Sequence, residues 1–195
     1  MPNRPRPRIV RTLATAVLLG TTLAVALSGF GTNPDSASAQ QSERAAIAIG
    51  FFAAQARGDL DAAVAAFAPN GVFIGARASG ACSPITPCTD PAGIRDQIQG
   101  NLDIHNCQTV RSVQVAGSVV TGQLEARNDV VRANGIERAS QTFLMQIPAD
   151  RITLFVNVND MTDAQTLLNA AINAGTQQAR VPLPNPATPC GDAAM

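Results

Sequence analysis

The chain has 195 residues, with 14 arginines, 14 acidic residues and no lysine, so its formal net charge is zero. The lack of lysine excludes Schiff-base chemistry, and the lack of tyrosine excludes any mechanism that needs a phenol. The arginines are scattered along the chain, whereas nucleic acids are bound by concentrated positive charge, so nucleic acid is not an expected partner.

The first 39 residues are predicted to be a cleavable secretory signal peptide. Four arginines lie within residues 1–11, and residues 13–27 are apolar and uncharged. Small residues at Ala37–Ala39 suit a signal peptidase, which places the cleavage before Gln40. The apolar stretch is shorter than the roughly 20 residues that span a bilayer. We therefore expect a secreted or extracytoplasmic protein with no stable membrane insertion after cleavage, in which ten arginines face 13 acidic residues.

Three helices are predicted in the first part of the mature chain. Apolar residues recur at helical spacing after Ser42, a suitable cap, and Gly58 ends that helix. Asp59 is the predicted cap of a short second helix, and Asp90-Pro91 combines a cap with proline at the first position of a third. A strand is predicted at residues 72–74, between the second and third helices.

The second part of the chain has the period of two that is typical of strands. Four runs alternate or are rich in β-branched residues: 110–115, 119–133, 137–147 and 152–158. Turn residues separate these runs, which predicts antiparallel hairpins. A capping box at Thr162–Gln165 opens a final helix that ends at Gly175. Helices followed by hairpins predict an α+β fold, with helices packed on one face of a curved antiparallel sheet.

Residues 40–175 are predicted to form one domain, followed by an extended, proline-rich tail at residues 176–195. Four cysteines remain after signal cleavage, and an even count in an exported chain is typical of disulfides rather than of a metal site. Of the three pairings that four cysteines allow, we favour one that pins a short loop and one that ties the tail to the body. These pairs are Cys82 with Cys88 and Cys107 with Cys190.

Two segments resemble the opening of the SnoaL-like, nuclear-transport-factor-2-like (NTF2-like) superfamily. They are Phe51–Ala63 and Phe67–Phe73, and the resemblance continues over residues 43–173. It implies a cone-shaped curved sheet wrapped against helices, with a pocket between them. It does not select a function, because this scaffold hosts isomerases, cyclases, epoxide hydrolases, dehydratases and proteins without chemistry.

The run Arg127-Asn128-Asp129 is similar to the Arg-x-Asp element of limonene-epoxide-hydrolase-like members of that superfamily. The resemblance implies that Asp129 protonates the substrate and that Arg127 orients and charges this carboxyl group. Side chains alternate along a strand, which predicts that Glu125, Arg127 and Asp129 share one face. The alternative interpretation is that Arg127 and Asp129 form an ion pair with a structural role only.

A second aspartate of those enzymes is replaced here by Asn157, which is the predicted anchor for a water or substrate. An amide holds a water but does not take its proton, so Glu125 or Asp160 would have to act as the base. Asn157 could instead be a polar residue with only a structural role at the wide end of the cone. His105, without a clear partner in the sequence, is interpreted as structural.

Phe143, Met145 and Phe155 are predicted to line the pocket or to belong to the core, and Glu125 and Asp160 are predicted to line the pocket. No glycine-rich phosphate loop, zinc motif or nucleophile elbow is found, so neither a cofactor nor a metal is expected.

Three hypotheses for function follow. The first is a pocket domain that binds a small apolar or amphipathic molecule without catalysis. The alternative is an acid–base enzyme without a cofactor, either an isomerase or cyclase or an epoxide hydrolase, that uses Asp129, Arg127 and Asn157. The third is an interaction or dimerisation module, in which a homodimer forms through the exposed face of the sheet.

Overall fold

The computed structural model describes residues 34–76, 81–184 and 190. The helices are α1 (Pro34–Ala56), α2 (Leu60–Ala65), α3 (Pro91–Asp103), α4 (Asp129–Ala133) and α5 (Ala164–Asn173). The strands are β1 (Phe67–Ile74), β2 (Cys107–Ala116), β3 (Val119–Arg127), β4 (Ala139–Gln146) and β5 (Ile152–Asn159). Helices packed on a curved, unclosed sheet confirm the predicted α+β class.

Aspartate side chains cap three of the helices. Two of these caps lie at the predicted positions, and the third lies one residue later than predicted. Asp59 accepts from the Ala62 amide at the start of α2, and Asp90 accepts from the Gly93 amide at the start of α3. At α5 the cap is Asp163 rather than Thr162. The prediction that Ser42 caps the first helix is wrong, because α1 begins at Pro34. Ser42 lies inside α1 and donates its hydroxyl to the carbonyl four residues earlier.

The five strands form one sheet in the order β1-β5-β4-β3-β2. The strands β2 to β5 pair antiparallel with their neighbours in sequence, as the hairpin pattern predicts. The first strand is different, because β1 pairs parallel with β5, and the sheet is therefore mixed rather than fully antiparallel. Parallel pairing needs a long connection between the strands, and here the rest of the sheet supplies it.

The predicted strand at 119–133 ends earlier than expected, at Arg127. Asn128 has extended backbone angles, and its side-chain oxygen accepts from the Val131 amide, which caps the short helix α4. The prediction that Asp129 shares a strand face with Arg127 is therefore wrong. Asp129 instead occupies the first turn of a helix.

Phenylalanines from α1 and from the sheet form an aromatic cluster in the core. Ring centroids are 5.0 Å apart for Phe52 and Phe143, and 4.7 Å apart for Phe73 and Phe155. Met145 is fully buried beside them. Burial of each such side chain contributes about 1.5–3 kcal/mol to stability. Phe143, Met145 and Phe155 thus belong to the core, which was the alternative to a role in the pocket wall.

The C-terminal segment is fastened to the body by hydrogen bonds and a disulfide. The amides of Arg180 and Leu183 donate to the carbonyls of Asn134 and Arg132. Gly135 lies beneath this crossing with φ of 69°, and a Cβ there would lie 2.5 Å from the Cβ of Arg180, so the close approach requires glycine. Residues 177–184 are neither helix nor strand.

Both favoured disulfides are present, Cys82–Cys88 and Cys107–Cys190. No helix in the described segments is both long enough and apolar enough to cross a bilayer. Most of the predicted signal peptide, residues 1–33, lies outside the described residues, whereas residues 34–39 form the start of α1. Cleavage before Gln40 therefore stays a prediction.

Candidate functional site

A cavity of about 210 Å³ is lined by α3, by the segment that follows it, and by residues from four of the strands. Most of its polar lining consists of amide side chains: Gln97, Asn101, Asn106, Gln108, Asn128, Gln141 and Asn157. The other described lining residues are apolar or small and include Phe73 and Ile104. Neither an acidic nor a basic side chain is among the described lining residues.

The alternation of the strands explains why the amides lie together. Residues of one strand face recur at every second position, so Met145, Phe143 and Gln141 form one inward row on β4. On β5, Asn157 lies opposite Phe143, and Asn159 lies opposite Gln141. The inward face therefore changes from apolar to amide toward one end of the sheet, and the cavity lies at that end.

Gln141 is the centre of the amide network on the sheet. Its side-chain oxygen accepts from Nε2 of Gln108 at 3.2 Å and from Nδ2 of Asn157 at 3.0 Å. Its own Nε2 donates to Oδ1 of Asn159 at 3.1 Å. An amide oxygen has two acceptor positions, so both positions on Gln141 are occupied. Gln141 therefore fixes the orientation of the Gln108 and Asn157 side chains.

Asn157 has one polar atom that the protein does not satisfy. The residue is only 7% exposed, and its Nδ2 is used by Gln141. Its Oδ1 is buried and has no hydrogen-bond partner among the described residues. A buried acceptor without a partner costs about 1–3 kcal/mol, and such atoms are rare in native proteins. The unsatisfied oxygen thus belongs to a residue that lines the cavity.

The opposite wall of the cavity is also built from amides. On α3, Gln97 accepts from the Cys82 amide at 3.3 Å and donates to Asn101 at 3.1 Å. The Cys82–Cys88 disulfide holds this wall in place, because Cys88 also exchanges backbone hydrogen bonds with Phe73 of β1. The loop that bears these cysteines is thus joined to both the sheet and α3.

The rim of the cavity is formed where the segment after α3 meets the start of α4. Asn128 donates its side-chain amide to Oδ1 of Asn106 at 3.0 Å. The Asp129 amide donates to the Ile104 carbonyl at 3.0 Å. The two segments are therefore connected by one side-chain and one backbone hydrogen bond.

His105 lies on this rim and contacts Asp129. The chain leaves α3 through a Schellman motif, in which the His105 amide donates to Leu102 and the Asn106 amide donates to Asn101. His105 takes the left-handed position of this motif, with φ of 50°, where glycine is usual. Its Nδ1 lies 2.8 Å from Oδ2 of Asp129. This partner is distant in sequence, so the sequence does not indicate the contact, and the interpretation of His105 as structural stays a prediction.

The surroundings of Asp129 favour its carboxylate form. The hydrogen bond from His105 holds the pKa of Asp129 below its ordinary value, and a second hydrogen bond from Arg132 acts in the same direction. An acid catalyst needs a raised pKa so that it carries a proton at neutral pH. Asp129 is instead held as a carboxylate, and it is not among the residues that line the cavity.

Arg127 and Glu125 also lie away from the cavity lining. Arg127 ends β3 opposite Cys107. Glu125 forms ion pairs with Arg111 and Arg138, and the hydrogen bond from Arg111 lowers the pKa of Glu125. Glu125 is therefore a partner of arginines and is poorly suited to take a proton.

Asp160 has a local structural role. Its side chain accepts from the hydroxyl and the amide of Thr162, which lowers its pKa and shapes the turn before α5. Asn157 is thus the one residue from the predicted catalytic and polar pocket set that lines the cavity. The structure does not bring Asp129, Arg127 and Asn157 together around this space.

Six lining amides were missed by the sequence analysis, among them Gln108 and Gln141. Both lie at inward positions of alternating strands, which is a signal that the sequence contains. Amides carry no charge and do not titrate, so their residue type does not indicate a catalytic role in a sequence. Among the described residues, no group of three or more His, Cys, Asp or Glu side chains is placed to hold a metal.

No protein-family model and no curated protein matches the sequence. Solved structures are similar in three dimensions. IdmH from Streptomyces antibioticus, named as a candidate polyketide cyclase, has 18% identity and a TM-score of 0.53, with 66% of this chain and 98% of that chain covered. The chain has the NTF2-like fold. The resemblance seen in the sequence is thereby confirmed for the fold.

Two further structures share this NTF2-like architecture. SalBIII, an epoxide hydrolase/cyclase-like enzyme of pyran ring formation in salinomycin, has 18% identity and a TM-score of 0.52, with 63% of this chain and 94% of that chain covered. An epoxide hydrolase from M. tuberculosis has 12% identity and a TM-score of 0.51, with 71% and 99% covered. At these identities the similarity concerns the fold and not the activity.

Proposed function

We propose that the protein is a binding domain that holds a small, uncharged, amphipathic molecule in the amide-lined cavity and does not transform it. The observation that carries the proposal is the buried Oδ1 of Asn157, which lacks a donor in a cavity whose described lining has no ionisable side chain. Such a lining forms hydrogen bonds, but it has no group that transfers a proton near neutral pH.

The uncharged, amide-rich lining also favours some chemical classes of ligand over others. A purely apolar molecule would leave Oδ1 of Asn157 without a donor, at a cost of about 1–3 kcal/mol. An ionic molecule would lose its hydration without gaining an opposite charge from the described lining. Phe73 and Ile104 add an apolar contribution, so an uncharged molecule with both polar and apolar surface fits best.

A fragment screen followed by side-chain amide NMR tests this proposal. The library should contain equal numbers of apolar, cationic, anionic and neutral polar fragments. Neutral polar fragments are expected to move the side-chain amide signals of Gln141 and Asn157, which are assigned from the Gln141→Leu and Asn157→Leu variants. The proposal is wrong if only ions or only hydrocarbons move these signals.

The second candidate is an acid–base enzyme, and it is favoured by the contact between His105 and Asp129 on the cavity rim. Arg127 and Asn157 would be its remaining members, as in the family resemblance. An assay with simple epoxides such as styrene oxide, comparing the wild type with Asp129→Asn, separates the candidates. Turnover that disappears in Asp129→Asn supports the enzyme, whereas binding without turnover supports the binding domain.

We further propose that the protein acts outside the cytoplasm after cleavage before Gln40. The two disulfides are compatible with an oxidising compartment. The N-terminal sequence of the protein recovered from the culture medium or cell envelope tests this. A protein that starts at Gln40 is expected, and a full-length chain confined to the cytoplasm would contradict the proposal.

A further inference from the structure

Building on the proposed binding function, we propose that the ligand is a neutral polyhydroxylated ring, such as a monosaccharide or a cyclic polyol. One of its hydroxyl groups donates to Oδ1 of Asn157. The inference rests on the way the amides of the cavity restrict one another, on the absence of charge from the described lining, and on the size of the cavity.

Gln141 determines which atom Asn157 offers to a ligand. Gln141 receives Nδ2 of Asn157 and Nε2 of Gln108 on a single oxygen and donates its own Nε2 to Asn159, so these four amides are coupled and can reverse only together. In the orientation of the structure, Asn157 is left with an oxygen that needs a donor. A hydroxyl group supplies the donor and remains able to accept a hydrogen bond from a neighbouring amide.

Several amides around one cavity are suited to several hydroxyl groups. Each amide has donor and acceptor atoms, and each hydroxyl has the same pair of capacities. A phosphate or carboxylate offers acceptors only and would meet the Asn157 oxygen unfavourably. An ammonium group offers donors only, and no carboxylate of the described lining balances its charge.

The size and apolar part of the cavity agree with a single ring. The cavity of about 210 Å³ is smaller than the roughly 300–1,000 Å³ of pockets for drug-sized ligands. Phe73 and Ile104 provide apolar surface for the C–H face of a saturated ring. Glycines at positions 75 and 100 add lining without side-chain bulk.

A matched series of six-membered rings tests the proposal on the mature, disulfide-bonded protein. The probes are myo-inositol, methyl glucoside, glucosamine, glucuronate and cyclohexanol, each titrated while the side-chain amide signals of Gln141 and Asn157 are recorded. Inositol or the glucoside is expected to bind about tenfold more tightly than the charged analogues and cyclohexanol, which corresponds to at least one additional neutral hydrogen bond.

Two variants with the same substitution locate the contact. Asn157→Leu is expected to weaken the hydroxylated ligand about tenfold, because it removes the only oxygen proposed to accept from it. Asn70→Leu is the control, since Asn70 is exposed and is not a lining residue, and it is expected to leave affinity within about twofold. Equal weakening by both variants would contradict a direct contact with Asn157.

The outcomes separate this inference from the binding function itself. If neutral fragments without several hydroxyl groups, such as nucleobases, move the amide signals and the polyols do not, the ligand class is wrong and the binding function stands. If cyclohexanol binds as tightly as inositol, the ligand class is also wrong. If neither the polyols nor the wider fragment library moves these signals, both proposals are wrong.

Discussion

Oδ2 of Asp129 lies 2.8 Å from Nδ1 of His105, a residue 24 positions earlier in the chain. The same carboxylate receives Arg132 on its other oxygen, so both of its oxygens are engaged by the protein. This arrangement connects the end of α3 to the start of α4 beside the cavity. It leads to predictions about acid stability and about the unusual backbone of His105.

Asp129→Asn should reduce the loss of stability at acid pH. The pKa of Asp129 is lowered in the folded state, so its contribution is complete above the unfolded pKa of about 3.9 and is lost as the pH falls through the folded pKa. The side chain is 35% exposed, and screening limits the effect to about 1 kcal/mol or less. Urea unfolding at a series of acidic pH values measures it. A slope with pH that is unchanged in Asp129→Asn would contradict the prediction.

Substitution of His105 should separate backbone strain from the contact with Asp129. His105→Gly and His105→Ala both remove the imidazole, but only alanine keeps a Cβ at φ of 50°. We expect the alanine variant to be about 1 kcal/mol less stable than the glycine variant. Thermal or urea unfolding of the pair measures this difference. Equal stabilities would show that the left-handed backbone is relaxed when the imidazole is absent.

Gln141→Leu should destabilise the protein more than Asn157→Leu does. The first change removes an acceptor from Gln108 and Asn157 and leaves their amides without it, at a cost of about 1–3 kcal/mol. The second removes the unsatisfied Oδ1 together with a single hydrogen bond, so its net effect should be close to zero. Unfolding free energies of the two variants test the ranking. The reverse order would mean that Gln141 does not organise the network.

The two disulfides should contribute unequally to stability and to binding. Cys107–Cys190 spans 83 positions and Cys82–Cys88 spans six, so the loop-entropy model gives about 4.5 and 2 kcal/mol. Paired serine variants, compared by urea unfolding, measure both. Only the Cys82–Cys88 pair should also affect ligand affinity, because Cys82 lines the cavity. Loss of affinity on removing Cys107–Cys190 alone would contradict this division.

Much of the fold could be predicted because its determinants are local. Asp59 and Asp90 cap helices through residues three positions later, and the alternation of β2 to β5 is visible within each strand. The parallel pairing of β1 with β5 joins residues about 80 positions apart, and no local pattern indicates it. The early end of β3 was missed because the capping bond of Asn128 competes with the strand pattern.

The site was less predictable, for a chemical reason. Asn157 was found because the family resemblance places a second aspartate at its position, whereas no such resemblance indicates Gln141, which lies on the same face of the neighbouring strand β4. The sequence indicates Arg127 as the partner of Asp129. In the structure Asp129 contacts His105, and this contact exists only in the folded chain. Which amide oxygen is left without a donor depends on the whole network, and a sequence does not show it.

The disulfide between Cys107 and Cys190 closes the polypeptide into a covalent ring. That ring contains four of the five strands and the two last helices, whereas α1 to α3 and β1 lie before it. A protease that cuts one loop inside the ring therefore opens it without releasing a fragment. A protein exposed to extracellular proteases would stay in one piece after such a cut and would separate only after the disulfide is reduced.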